Sequence, residues 1–122
     1  MQYDLLIKNG YVVDYASARE GYFDVAVQNA MIAAVESSIG GSAVRELDAS
    51  GKLVLPGLFD IHAHLCQPGR EDKERVATAT AAALHGGVTG LMAMPDTEPV
   101  MDNAAQITTF MEICRTDALV EV

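Results

Sequence analysis

Two histidines one residue apart, His62 and His64, are the side chains of this sequence best suited to chemistry. In a strand, residues two apart share a face, so Asp60, His62 and His64 project together. Such neighbours stand about 7 Å apart, and modest bending lets two imidazoles converge on one cation. Neutral imidazole is a common ligand of Zn²⁺ and related borderline ions. An isolated His-x-His also has a plainer account, two polar residues at the solvent-facing mouth of a strand. Cys66 continues the same alternation, and thiolate sulfur binds zinc well; a small, partly buried residue opening a loop accounts for it more simply.

A metal site of this kind needs a strand whose carboxyl end opens onto solvent, the place where parallel α/β enzymes put their active sites. The sequence around the pair supplies one. Pro56-Gly57 marks a change of regime, and Leu58 to Leu65 is an apolar run with polar groups at every second residue. A helical, alanine-rich pattern follows from about Asp72 to Leu84 and closes at Gly86-Gly87. Val88 to Met94 reads as a second strand covered on both faces. Asp102 or Asn103 can cap a further helix, in which Ile107, Phe110, Met111 and Cys114 define a buried face. Leu119 to Val122 opens another apolar strand. Strand–helix–strand–helix–strand is the pattern of a parallel α/β sheet, open or closed into a barrel.

Before Pro56 the pattern is different. Tyr3–Lys8 and Tyr11–Asp14 read as a hairpin about Asn9-Gly10, and Phe23–Gln28 and Met31–Val35 as another about Asn29-Ala30. Arg45–Asp48 and Lys52–Leu55 suggest a third across Ala49-Ser50-Gly51. The expectation is a small antiparallel β module. His85, at the end of the alanine-rich helix, reads as a capping or surface residue. Met92, Met94 and Met111 read as core. The charge run Glu71–Arg75 reads as a solvated first helical turn.

Composition narrows the functions. Half the 122 residues are apolar and a fifth are charged, too hydrophobic a mixture for a disordered tail. With 17 acidic against 8 basic side chains, the net charge of −9 argues against nucleic acid and anionic membrane surfaces as partners. No apolar run approaches the roughly 20 residues of a membrane span, and Met1 to Lys8 lacks the features of a signal peptide. The two cysteines, Cys66 and Cys114, form no disulfide framework, which points to a cytoplasmic setting.

The segment Pro56-Gly57-Leu58-Phe59-Asp60-Ile61-His62-Ala63-His64-Leu65 resembles the signature that opens the first barrel strand in the amidohydrolase superfamily. The β module ending in Asp48-Ala49-Ser50-Gly51-Lys52 resembles that superfamily's small N-terminal domain. Gln67-Pro68-Gly69-Arg70-Glu71-Asp72-Lys73-Glu74 and Gly86-Gly87-Val88-Thr89 resemble dihydroorotase segments. Met94-Pro95-Asp96-Thr97-Glu98-Pro99-Val100-Met101-Asp102-Asn103 is similar to the M-P-N-T-x-P-x-x-D-N block of the same family. The resemblance extends over essentially the whole chain.

It implies a β-sandwich module over residues 1–55, followed over residues 56–122 by the first βα units of an incomplete (β/α)₈ TIM-type barrel, cut off in its third strand. It also implies a zinc centre, binuclear in the complete protein, that activates water and polarises the carbonyl of a cyclic amide. His62 and His64 match the family's metal ligands, and Asp60 matches the motif aspartate that supports them from behind. The remaining ligands and the proton-shuttling aspartate belong to later strands, so no catalytic residue falls within these residues. The partners implied are a small cyclic amide and either a second copy of the chain or aspartate carbamoyltransferase.

Two positions depart from the dihydroorotase pattern. Cys66 stands where the family carries an arginine that grips the substrate carboxylate, and Asp96 where it carries an asparagine that binds the same group. Each charge-assisted hydrogen bond lost is worth roughly 1.5–3 kcal/mol, and Asp96 adds a like charge. Three readings follow: a dihydroorotase with a rearranged carboxylate site, a hydrolase of a neutral cyclic amide of the allantoinase or hydantoinase type, or a non-catalytic partner of aspartate carbamoyltransferase. From another class comes a stand-alone binding module. A barrel takes about 250 residues, so the 122 residues alone are expected to be inactive.

Overall fold

Asn9-Gly10 does not turn the chain. In the computed structural model, which describes residues 2–122, strand β1 runs unbroken from Gln2 to Asp14. It pairs antiparallel with β2 (Arg19–Gln28), and between Ile7↔Val25 and Gly10↔Phe23 two residues of β1 face Asp24 alone. This is a β-bulge, with Asn9 at φ +63°. Asparagine tolerates that left-handed conformation, which is why the same dipeptide serves hairpins and bulges alike. A Cβ at Gly10 would overlap the Val54 side chain, so the glycine admits a neighbouring strand as well.

The bulge is where β1 changes partner. Its first half pairs in parallel with β4 (Ser42–Asp48), and Tyr11 and Val12 pair in parallel with β5 (Leu53–Val54). The expected hairpin across Ala49-Ser50-Gly51 is therefore corrected: its two arms both lie along β1. The Ala49 N–H reaches Lys8 O at 2.8 Å and the Tyr11 N–H reaches Lys52 O at 3.0 Å, bridging the change. On the other side β2 and β3 (Met31–Glu36) form the hairpin expected at Asn29-Ala30, both turn residues having positive φ. The sheet order is β3-β2-β1-β4 with β5 also on β1, one continuous five-stranded sheet of mixed rather than purely antiparallel pairing.

Its polar centre is Asp24, 3% exposed. Lys8 Nζ donates to Oδ2 at 2.6 Å, and the main-chain N–H groups of Asn9 and Ile39 donate at 2.9 Å each. The bulge thus frees the Asn9 N–H from the ladder and gives it to a buried carboxylate, next to a core of Leu6, Ala26 and Ile39.

The chain divides between Pro56 and Gly57 into two units. In the second, β6 (Leu58–Ala63) and β7 (Val88–Ala93) pair in parallel, joined through α1 (Val76–His85). After α2 (Ala104–Asp117), Glu121 bridges in parallel to Gly90 on the far side of β7. A Cβ at Gly90 would overlap the Phe59 ring, so this glycine lets the two strands approach.

The first helix starts at Val76, later than the periodicity suggests. Gln67 Oε1 accepts the Val76 N–H at 3.0 Å, and the charge run from Glu71 precedes the helix instead of forming its first turn. Leu65, Val76, Leu91, Phe110 and Cys114 make the core. Phe110 and Cys114 occupy the face expected of α2, but Ile107 is 49% exposed and lies outside that core. Asn103 supplies the cap, its Oδ1 accepting the Gln106 N–H at 3.1 Å. Thr80, fully buried, donates to Val76 O and accepts the Leu119 N–H, tying α1 to the segment that enters the third strand position. Among the described residues no helix is long and apolar enough to cross a membrane.

Candidate metal centre

His62 lies in β6 and His64 immediately after it, at the carboxyl end of the strand. The Met94 N–H donates to Ala63 O at 2.8 Å, so the chain leaving β7 is held against the main chain between the two histidines. Asp60 Oδ1 accepts the main-chain N–H of His62 at 3.0 Å. Its carboxylate therefore braces the strand, supporting the histidine through its backbone.

The imidazole centroids lie 5.1 Å apart at an interplanar angle of 54°. Their Nε2 atoms are 3.2 Å apart. Two nitrogens each 2.0–2.1 Å from a tetrahedral cation stand about 3.3 Å from one another, so the pair has the bite of two zinc ligands. A complete zinc site takes at least three protein ligands. Among the described residues no group of three or more His, Cys, Asp or Glu side chains gathers in an arrangement that could hold a metal ion.

Asp96 meets this pair from 32 positions away: its Oδ2 lies 2.8 Å from His64 Nδ1. The other oxygen, Oδ1, is buried with no hydrogen-bond partner among the described residues. The bond to His64 holds the Asp96 carboxyl below its ordinary value against the desolvation that works the other way, and the charge of Arg70 adds to the lowering. Two loops fix this placement. The Glu98 N–H donates to Pro68 O at 2.9 Å, and Thr97, 3% exposed, donates to Pro99 O at 2.8 Å. Gly69, at φ +98°, lies so close to the Glu98 backbone that any Cβ would overlap it.

Cys66 does not extend the face that carries the histidines. Strand β6 ends at Ala63, Cys66 has φ +60°, and its thiol, 3.9 Å from His64 O, belongs to a residue only 8% exposed. Alternation holds only while the backbone stays extended, and here it has ended. The other thiol, Cys114, is buried in the core, where burial, with Asp117 adding, pushes its pKa up to about 11. His85 ends α1 and is exposed. The contact that sequence reasoning missed is Asp96 with His64. Its signal was present: Asp96 directly follows the second parallel strand, so it emerges at the same end of the sheet as His64.

A parallel βα unit with a histidine pair at the carboxyl mouth of its first strand, preceded by a β module, is an α/β architecture. The dihydro-orotase-like family matches residues 51–122, and the chain belongs to it. It is 43% identical over 117 residues to a dihydroorotase from Elusimicrobium minutum (strain Pei191), covering 96% of this chain and 27% of that one. A dihydroorotase from Pelotomaculum thermopropionicum is 43% identical over 118 residues, with 97% and 27% covered. Among solved structures, L-hydantoinase (dihydropyrimidinase) from Arthrobacter aurescens superposes with a TM-score of 0.89 at 26% identity, over 97% of this chain and 26% of that one. The chain thus spans about a quarter of the length of these relatives.

Proposed function

We propose that the protein is a metal-dependent hydrolase of a cyclic amide, of the dihydroorotase type. The observation that carries this reading is the 3.2 Å approach of His62 Nε2 and His64 Nε2 at the mouth of a parallel strand. Residues 1–55 are read as the N-terminal β module of amidohydrolase type, and residues 56–122 as the start of a (β/α)₈ barrel. The exposure of Leu58, Phe59 and Ile61 on β6 supports that reading, since a barrel would cover them.

In this reading His62 and His64 hold the cation, zinc, through Nε2, and Asp60 keeps the His62 main chain in place. When bound, the metal supplies an activated water and a polarised carbonyl for opening or closing the ring C–N bond. The substrate pair is dihydroorotate and carbamoyl aspartate, which places the protein in pyrimidine biosynthesis. Arg70 is the cation that takes over the carboxylate from the position now held by Cys66. Its charge already acts on Asp96, and its main-chain N–H is bonded to Cys66 O at 3.0 Å. Two free cysteines, both buried, suit a cytoplasmic protein. Self-association or a complex with aspartate carbamoyltransferase would follow the same family logic.

Cys66 and Asp96, at the positions of the family's arginine and asparagine, favour a second reading, a neutral cyclic amide as substrate. The likeness to L-hydantoinase agrees with it. Zinc content and turnover of the intact protein on dihydroorotate and on hydantoin separate the readings. Zinc-dependent turnover of dihydroorotate, with a raised KM in Arg70→Gln, is the expected result. Turnover of hydantoin alone favours the second reading, and bound zinc with neither activity favours the non-catalytic partner.

A further inference from the structure

We propose that Asp96 is a positioning residue for His64, fixing the ring through the Oδ2–Nδ1 contact so that Nε2 is left unprotonated beside Nε2 of His62. The inference rests on the metal reading above and assigns Asp96 a role other than binding substrate.

The geometry is direct. The His64 side chain is 55% exposed, so packing alone does not fix its ring, whereas Asp96 holds Nδ1 at 2.8 Å. Asp96 is itself fixed by the bond from the Glu98 N–H to Pro68 O and by the close seat of Gly69 against the Glu98 backbone. The chemistry then selects the tautomer. An ionised carboxylate only accepts hydrogen bonds, so a neutral His64 must carry its proton on Nδ1 and leave Nε2 free. An asparagine at position 96 could turn either end of its amide to the ring, and with its NH₂ donating it would favour the opposite tautomer. The substitution that weakens a carboxylate-binding position thus strengthens a metal-binding one.

The test uses the intact protein as wild type, Asp96→Asn, Asp96→Ala and Cys66→Ser. Zinc affinity is read by competition with a chromophoric chelator, and the His64 tautomer by nitrogen-15 correlation spectra of the metal-free protein. Expected results are a 10–100-fold loss of zinc affinity in Asp96→Ala, a smaller loss in Asp96→Asn and none in Cys66→Ser. His64 should carry its proton on Nδ1 in the wild type and shift toward Nε2 in Asp96→Ala. Unchanged zinc affinity and tautomer in Asp96→Ala would overturn the proposal while leaving the metal reading intact. A lower KM for dihydroorotate in Asp96→Asn at unchanged zinc affinity would also overturn it and return Asp96 to the substrate site. If the wild type binds no zinc, the metal reading falls and this proposal falls with it.

Discussion

Asp24 in the first unit and Asp96 in the second are held in opposite ways. Asp24 is 3% exposed and both its oxygens are occupied, by Lys8 and by two main-chain N–H groups. The Asp96 side chain is 39% exposed, has one bond to a ring nitrogen and keeps Oδ1 without a partner among the described residues. A carboxylate with all its acceptors filled fixes a backbone bend and is finished. The first unit's aspartate holds a backbone bend, whereas the second unit's aspartate stands beside the histidine pair.

Removing a histidine should separate the two units most sharply. His64→Ala is expected to lower zinc affinity by more than the roughly 100-fold seen for orienting partners, with thermal unfolding of the first unit unchanged. Asp24→Ala should do the reverse. It leaves two main-chain N–H groups without an acceptor and Lys8 with Ile39 O as its remaining partner, for a loss of about 3 kcal/mol in chemical denaturation, and leaves zinc affinity as it was. If Asp24→Ala weakened zinc binding, the division of labour would be wrong.

Acid should act on the first unit through the same group. Burial works against ionisation of Asp24, but hydrogen bonds from Lys8 and from the Ile39 and Asn9 N–H groups outweigh it, so its folded pKa lies below the ordinary 3.8. Its contribution is complete above that value and is lost as pH falls through the lower folded one. Denaturation midpoints of the wild type should hold from neutral pH to about pH 5 and fall below pH 4. The same curve for Asp24→Asn should be flatter; identical curves would remove Asp24 from the account. Gly69→Ala, whose methyl would displace the Glu98 backbone, should weaken zinc binding severalfold by moving Asp96. Asp96→Asn should change stability least, by about 0.5 kcal/mol or less.

Much of the second unit was legible because its signals are local. The Asn103 cap and the Phe110 and Cys114 face each follow from neighbours within a few positions, and the strand–helix–strand order announced the parallel pairing of β6 with β7. The first unit misled in two places for a common reason. Asn9-Gly10 and Ala49-Ser50-Gly51 have the chemistry of hairpin turns, but long-range parallel pairing of β4 and β5 with β1 decided their use. For Cys66 the plainer reading holds, a small buried residue opening a loop; only the idea of a third ligand carries the two-residue alternation past the end of its strand.

By itself the amino-acid sequence determined that a histidine pair ends a strand in a parallel α/β unit, and which family's motifs surround it. Periodicity and motif spacing are written in consecutive residues, so one chain suffices to read them. The tertiary structure decided that Asp24 stabilises a bulge, that Cys66 turns inward, and that Asp96 meets His64 across 32 positions. Those outcomes depend on which loops and strands come together in space, and hydrogen bonds between distant segments leave no period in the sequence.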